Sequence, residues 1–197
     1  MNLAFFNTDL EKNVVKEIMK WSSDVLEQPH PFFMNFSPCP FAKQAWFADR
    51  VAILFKYENN YQCLYSTISQ FDDNFDVALI VDLDNNKNAD DFHEYLDGLN
   101  EVIADGVFID RDIWLMGFHP DDDPEEYAED AAFTPVVDTE YAIIFVQRLS
   151  KLQEAADKLR KKGYYEAYAK EYNVYQIYSR RDQLYRRLKN GDETKKN

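Results

Sequence analysis

The chain has 197 residues, with 22 Lys and Arg against 36 Asp and Glu and a formal net charge of −14. Its 46% hydrophobic and 16% aromatic content supports a sizeable core and excludes wholesale disorder. No apolar run approaches the ~18 residues that span a bilayer, and the acidic total argues against a protein that coats nucleic acid, which needs cationic surface.

One domain with an appendage is expected at this length. The first residues lack the basic start and small-residue cleavage site of a signal peptide. Cys39 and Cys63 cannot form a disulfide framework, so a reducing cytoplasm is the expected setting. The charge is unevenly placed. Residues 1–147 hold 8 Lys and Arg against 29 Asp and Glu, a net of −21, whereas residues 148–197 hold 14 against 7, a net of +7.

The first element reads as a helix. Thr8 with Glu11 forms a capping box, in which each side chain satisfies a free backbone donor at the helix start. Leu10, Val14, Ile18, Trp21 and Val25 recur at helical spacing, and Pro29 and Pro31 end the run. Four short apolar runs rich in β-branched or aromatic residues read as strands, at 51–57, 75–83, 113–118 and 141–147.

Residues 61–71 are ambiguous but long enough for a helix. Asn88 caps a helix whose Phe92, Tyr95, Leu96, Leu99 and Ile103 share one face, with Asp90 and Asp91 at its positive end and Gly106 after it. Ser150 with Gln153 reads as a second capping box, followed by a stripe of Leu152, Ala155, Ala156 and Leu159 and by Gly163 as a stop. This order predicts an α/β or α+β domain over residues 1–163, a small four-stranded sheet covered by helices with ferredoxin-like connectivity as one arrangement. A helical Tyr/Arg-rich extension with a polar tail occupies residues 164–197.

The most unusual local stretch is Ser37-Pro38-Cys39-Pro40-Phe41-Ala42-Lys43. Pro40 suits the first turn of a short helix through Trp46, which places Cys39 at its N-cap, where the dipole and free amides lower a thiol pKa. The competing expectation is an inert, buried small residue. His119, in Gly117-Phe118-His119-Pro120-Asp121-Asp122-Asp123-Pro124, follows the third strand and is a candidate base or metal ligand. Its plainer role is to stabilise an acidic turn before a helix that starts after Pro124. His30 lies in a proline turn, and His93 is expected to be exposed on its helix.

A metal site is weakly supported, because zinc-type ligand spacing is missing. The 82–90 stretch has Lys87 where a calcium loop needs glycine and His93 where it needs a bidentate Glu. Phosphate-loop, dinucleotide and serine-elbow motifs are also missing from the sequence. No cofactor is indicated.

Cys39-Pro40-Phe41-Ala42 alone is similar to the active-site turn of omega-class glutathione transferases, which implies a thioredoxin fold with a strand at residues 32–36. Over a longer stretch the chain resembles an uncharacterised bacterial family catalogued as domain of unknown function 1415. The elements are a helix with Trp21, then Cys39-Pro40-Phe41-Ala42, then Phe118-His119-Pro120-Asp121, then a strand ending at Arg148, within roughly residues 15–163. The resemblance implies that Cys39, His119 and Arg148 share a site, and it supplies no known reaction.

Two functions are therefore expected. In the first, an intracellular enzyme acts on a small anionic molecule, with Cys39 as nucleophile or redox thiol, His119 as acid or base and Arg148 as anion binder. In the second, a non-enzymatic adaptor uses the C-terminal helix, in which Arg180, Arg181, Arg186 and Arg187 follow Tyr168, Tyr172 and Tyr175. Packing of that helix on the acidic body or on a protein partner is favoured over nucleic-acid stacking.

Overall fold

The structure is a computed structural model; it describes residues 6–85, 87–108, 110–122, 137–166 and 174–194. The N-terminal capping box forms, with Glu11 N donating to Thr8 Oγ1 at 3.1 Å and Thr8 N donating to Glu11 Oε2 at 2.9 Å. It starts helix α1 (Asp9–Trp21), whose Val14, Val15 and Ile18 are buried. The helix does not continue as α to the prolines. Residues Ser22–Leu26 widen into a π turn in which Glu27 N reaches Ser22 O at 3.0 Å.

Four strands form a mixed sheet in the order β1-β2-β4-β3, comprising β1 (Val51–Lys56), β2 (Val77–Asp82), β3 (Ile113–Phe118) and β4 (Ala142–Arg148). Strands β1 and β2 are parallel neighbours joined through helix α3 (Gln62–Gln70), so the ambiguous segment is a helical crossover. Strand β4 runs antiparallel to both β2 and β3. An α/β or α+β fold is thus what the chain adopts. The connectivity is not ferredoxin-like. A ferredoxin-like βαβ unit is split by an intervening strand, whereas here β1 and β2 bond directly along their whole length.

Helix α4 (Ala89–Ala104) begins at Asn88, whose Oδ1 accepts from Asp91 N at 2.8 Å. It packs with α3 on one face of the sheet, where Leu64, Ile68, Phe92, Leu96 and Ile103 meet Ala78, Ile80, Leu115 and Ile144. The opposite face carries α1 and the short helix α2 (Ala42–Phe47), with Val14, Ile18 and Ala45 against Leu79, Val81 and Ile143. The period-two alternation of each strand supplies both cores. Gly117 sets the approach of α4 to β3, since a Cβ there would lie 2.6 Å from Leu96 Cδ1 and closer still to Phe92 Cε1.

Helix α5 (Leu149–Arg160) starts without the expected Ser150–Gln153 box. Its N-cap is Arg148, and Asp112 does the capping from outside, accepting from Ser150 N at 2.7 Å and Ser150 Oγ at 2.6 Å. Gln153 is instead buried and accepts from Arg181 Nε at 2.9 Å. Helix α6 (Val174–Thr194) lies across α4 and α5. Its Arg180 pairs with Asp97, Arg187 pairs with Glu101 and Asp105, and Leu184 and Tyr185 join Trp114 and Leu149 in a separate apolar cluster. Tyr168, Tyr172, the Tyr175 side chain and the helix expected after Pro124 lie outside the described residues.

Candidate functional site

Because β4 is antiparallel to its two neighbours, the carboxyl ends of β1, β2 and β3 share one edge of the sheet. Ligand sites in α/β proteins favour this edge, where loops leave the strands. The last residues of β1 and β2, Lys56 and Asp82, are register partners, and Lys56 Nζ donates to Asp82 Oδ1 at 2.7 Å. Both side chains are almost fully buried, at 3% and 1% exposure. The next strand contributes Ala142 opposite Asp82, and β3 then delivers His119 one residue past Phe118. By strand alternation all four residues face the α3/α4 side, so Lys56, Asp82, Ala142 and His119 form one row.

Two aromatic residues stand beside this row. Lys56 Nζ lies 5.2 Å from the Tyr61 ring centroid, and Tyr61 packs against Tyr95 with centroids 4.3 Å apart. Lys87 Nζ lies 5.4 Å from the Tyr95 centroid, while the Tyr95 and Tyr65 hydroxyls are 2.7 Å apart. Burial, with help from the Asp82 charge, pushes the Tyr61 hydroxyl up to about 12. The Cys63 thiol is also raised, chiefly by burial, with Thr67 and Lys56 opposing and Asp82 reinforcing. Asp82 Oδ1 additionally accepts from Asp84 N at 3.1 Å, but Oδ2 is buried and has no hydrogen-bond partner among the described residues.

His119 is 1% exposed and works as a latch between loops. Its Nδ1 accepts from Asp121 N at 3.1 Å, which leaves Nε2 to carry the proton of the neutral ring and donate to Lys87 O at 3.0 Å. Asn85 Nδ2 stands 2.6 Å from the same Nε2, while Asn85 Oδ1 is buried without a partner. Two donors cannot face each other, so the Asn85 amide presents its oxygen to this N–H, which it shares with Lys87 O. His93 is less exposed than its helix position implies and meets Asp122 Oδ1 at 2.7 Å. Asp122 Oδ2 in turn accepts from His119 N at 2.8 Å.

Cys39 belongs to the other face. Its N donates at 3.0 Å to the carbonyl of Leu26, the last residue of the π turn, and α2 begins only at Ala42 with Phe41 as N-cap. The expected N-cap position is therefore not the one Cys39 occupies. Pro40 lies in a turn closed by Ala42 N donating to Cys39 O at 3.1 Å, and the helix starts where this turn ends. Burial pushes the thiol pKa up, hydrogen bonds from the Phe41 and Ala42 backbone pull against this, and the nearby Glu27 carboxylate raises it further. A lowered pKa is not what this environment produces.

Arg148 sits at the far end of the sheet. It is opposite Ile113, whereas Phe118 is opposite Ile143, so five residues separate the two ends, about 17 Å at strand rise. Its guanidinium is engaged by Asp110 and Phe71 O and lies 5.2 Å from the Phe71 ring centroid. Among the described residues none of Cys39, His119 and Arg148 contacts another. Strand β4 carries Arg148 away from the edge at which β3 releases His119, so these two residues do not meet in one site.

The thioredoxin-type arrangement fails for a local reason. Residues Pro31–Phe33 form a 3-10 turn, closed by Phe33 N donating to His30 O and Met34 N donating to Pro31 O, each at 3.0 Å, where that fold needs a strand. Among the described residues no group of three or more His, Cys, Asp and Glu is placed to hold a metal ion. Among the described residues no helix is long and apolar enough to cross a membrane.

Sequence reasoning missed Lys56 and Asp82. The available signal was that each is the first charged residue after an unbroken apolar strand, at the end where loops emerge. Comparison of the chain with protein-family models, curated proteins and solved structures returned no match.

Proposed function

We propose that this protein binds a small molecule at the carboxyl edge of β1, β2 and β3. Lys56 and Asp82 are its charged centre, Tyr61 and Tyr95 its apolar wall, and His119 the latch that positions the loops. The observation that carries the reading is the buried Lys56–Asp82 pair, with a carboxylate oxygen left without a partner. A charge pair removed from water is a weak stabiliser and a costly one to misplace, so its location at a loop edge favours a working role. A reducing, cytoplasmic setting fits the two free thiols. The resemblance to the domain of unknown function 1415 enters only through Cys39 and His119, each taken separately.

The test is ligand-induced stabilisation across a panel of low-molecular-weight metabolites. At least one compound raises the melting temperature of the wild type and fails to do so in the Lys56→Met/Asp82→Asn double variant. Equal shifts in both proteins would place the ligand elsewhere.

A second reading keeps Cys39 as a thiol that attacks or exchanges with a small anionic substrate, supported by the two backbone amides directed at its sulfur. Its test is iodoacetamide labelling in a Cys63→Ser background, because a working thiol reacts faster folded than unfolded near neutral pH.

A further inference from the structure

We propose that the edge site accepts a compact organic cation, a primary ammonium or guanidinium group, held by Asp82 Oδ2 and flanked by the Tyr61–Tyr95 pair. The inference rests on the small-molecule reading above and narrows it to one ligand class. Three observations converge on it.

The first is the free acceptor. Asp82 is 1% exposed, and among the described residues its Oδ2 has no hydrogen-bond partner, although Oδ1 receives both Lys56 Nζ and Asp84 N. A carboxylate offers about four lone-pair sites, and a buried oxygen that uses none of its own calls for a donor. An anionic or purely accepting ligand cannot supply one.

The second is the aromatic wall. Lys56 and Lys87 already place ammonium groups 5.2 Å and 5.4 Å from the centroids of Tyr61 and Tyr95. Both ring faces are thus engaged by the protein's own cations, and a ligand ammonium or guanidinium would take over the contact that Lys87 makes with Tyr95.

The third is the row beneath. Between Asp82 and His119 the row is carried by Ala142, the smallest side chain of the four, while His119 Nε2 and Nδ1 are both engaged by the loops. The histidine is thus not a competing base for the cation, and the carboxylate is the group left to bind it. Lys56 holds one oxygen of Asp82 and leaves the other for the ligand, which makes recognition a matter of hydrogen-bond donation to a fixed acceptor.

Methylguanidinium and n-butylammonium chlorides are the cationic probes, with sodium acetate, sodium phosphate and acetamide as anionic and neutral probes and sodium chloride as the ionic control. Binding to the full chain is followed by amide chemical-shift changes and calorimetry in wild type, Asp82→Asn and the Lys56→Met/Asp82→Asn double variant. The expected result is millimolar binding of a cation, with shifts at Tyr61, Asp82 and Asn85 and at least a tenfold weaker affinity in Asp82→Asn. If Asp82→Asn fails to fold, the double variant, which buries no charge at these positions, carries the same comparison. Binding of acetate or phosphate at these residues, lost in the double variant, would overturn the cation class and leave the edge site standing. The absence of shifts from every probe would overturn both. Cation binding of equal strength in wild type and variants would overturn the role of Asp82.

Discussion

Lys56 and Asp82 are the last residues of two parallel strands, hydrogen-bonded at 2.7 Å and separated by 26 positions in the chain. The α3 crossover brings them together, and no local feature of either strand requires the other. The consequence is energetic. Removing one partner leaves a buried charge uncompensated, which costs about 3–5 kcal/mol, whereas removing both is close to neutral. Urea unfolding should accordingly show Lys56→Met strongly destabilised and the Lys56→Met/Asp82→Asn protein near wild type. Equal losses in the two would mean that Lys56 acts through its aliphatic stem alone.

Gly117, on β3 beneath α4, and Gly98, on the open side of α4, should respond in opposite directions. Gly117→Ala drives a methyl into Phe92 and Leu96, an overpacking that costs about 1–3 kcal/mol. Gly98 lies inside α4 with nothing within 4 Å of an added Cβ, so Gly98→Ala should stabilise by about 0.5–1 kcal/mol. Thermal denaturation of both variants distinguishes steric from conformational control of this helix.

The His93 imidazole is raised above its ordinary value, first by the hydrogen bond to Asp122, with burial opposing and the Asp122, Asp97 and Asp90 charges adding. A raised folded value means that the protonated ring contributes stability that is full below the unfolded pKa of about 6.5. That contribution is lost as pH rises through the higher folded value. An NMR titration should find the His93 midpoint lower in Asp122→Asn than in wild type, and an unchanged midpoint would remove Asp122 as the cause.

Cys39 should be a slow thiol. Its burial and the Glu27 charge favour the neutral form, so alkylation of folded Cys63→Ser protein near pH 7 is expected to be at least tenfold slower than in urea. Glu27→Gln should recover part of the rate. Faster labelling of the folded form would support the second reading of function instead.

On α6, the arginines divide by burial. Arg181 is 8% exposed, donates to Gln153 and lies 5.9 Å from the Tyr178 ring centroid, so Arg181→Ala should cost about 2–3 kcal/mol, the loss of a charged hydrogen bond with its packing. Arg186, with a side chain 76% exposed and paired within its own helix to Asp182, should change stability by no more than about 0.5 kcal/mol. Comparable losses for the two would indicate that the helix is held by charge and not by its buried face.

Local grammar was legible in the sequence wherever its determinant is local. The Thr8–Glu11 box and the Asn88 cap form as their spacing requires, and β3 occupies residues Ile113–Phe118 as its apolar run indicates. The Ser150 box was not legible, because Asp112, 38 positions away, offers the backbone and hydroxyl of Ser150 a better acceptor than its own neighbour does. Cys39 was misplaced for a related reason. The start of a six-residue helix shifts by two residues at little energetic cost, and that shift moves the thiol off the cap.

The uneven charge was present from the outset, and the sequence alone determined it: an acidic body, a basic C-terminal stretch, four apolar strands and the helices between them. Only tertiary structure decided which charges meet. Strand order is set by long-range pairing, which period-two hydrophobicity does not encode, and it sends Arg148 to one end of the sheet and His119 to the other. The same pairing brings Lys56 and Asp82 into a buried contact whose strength depends on exclusion from water, a property of the packed molecule and not of either residue.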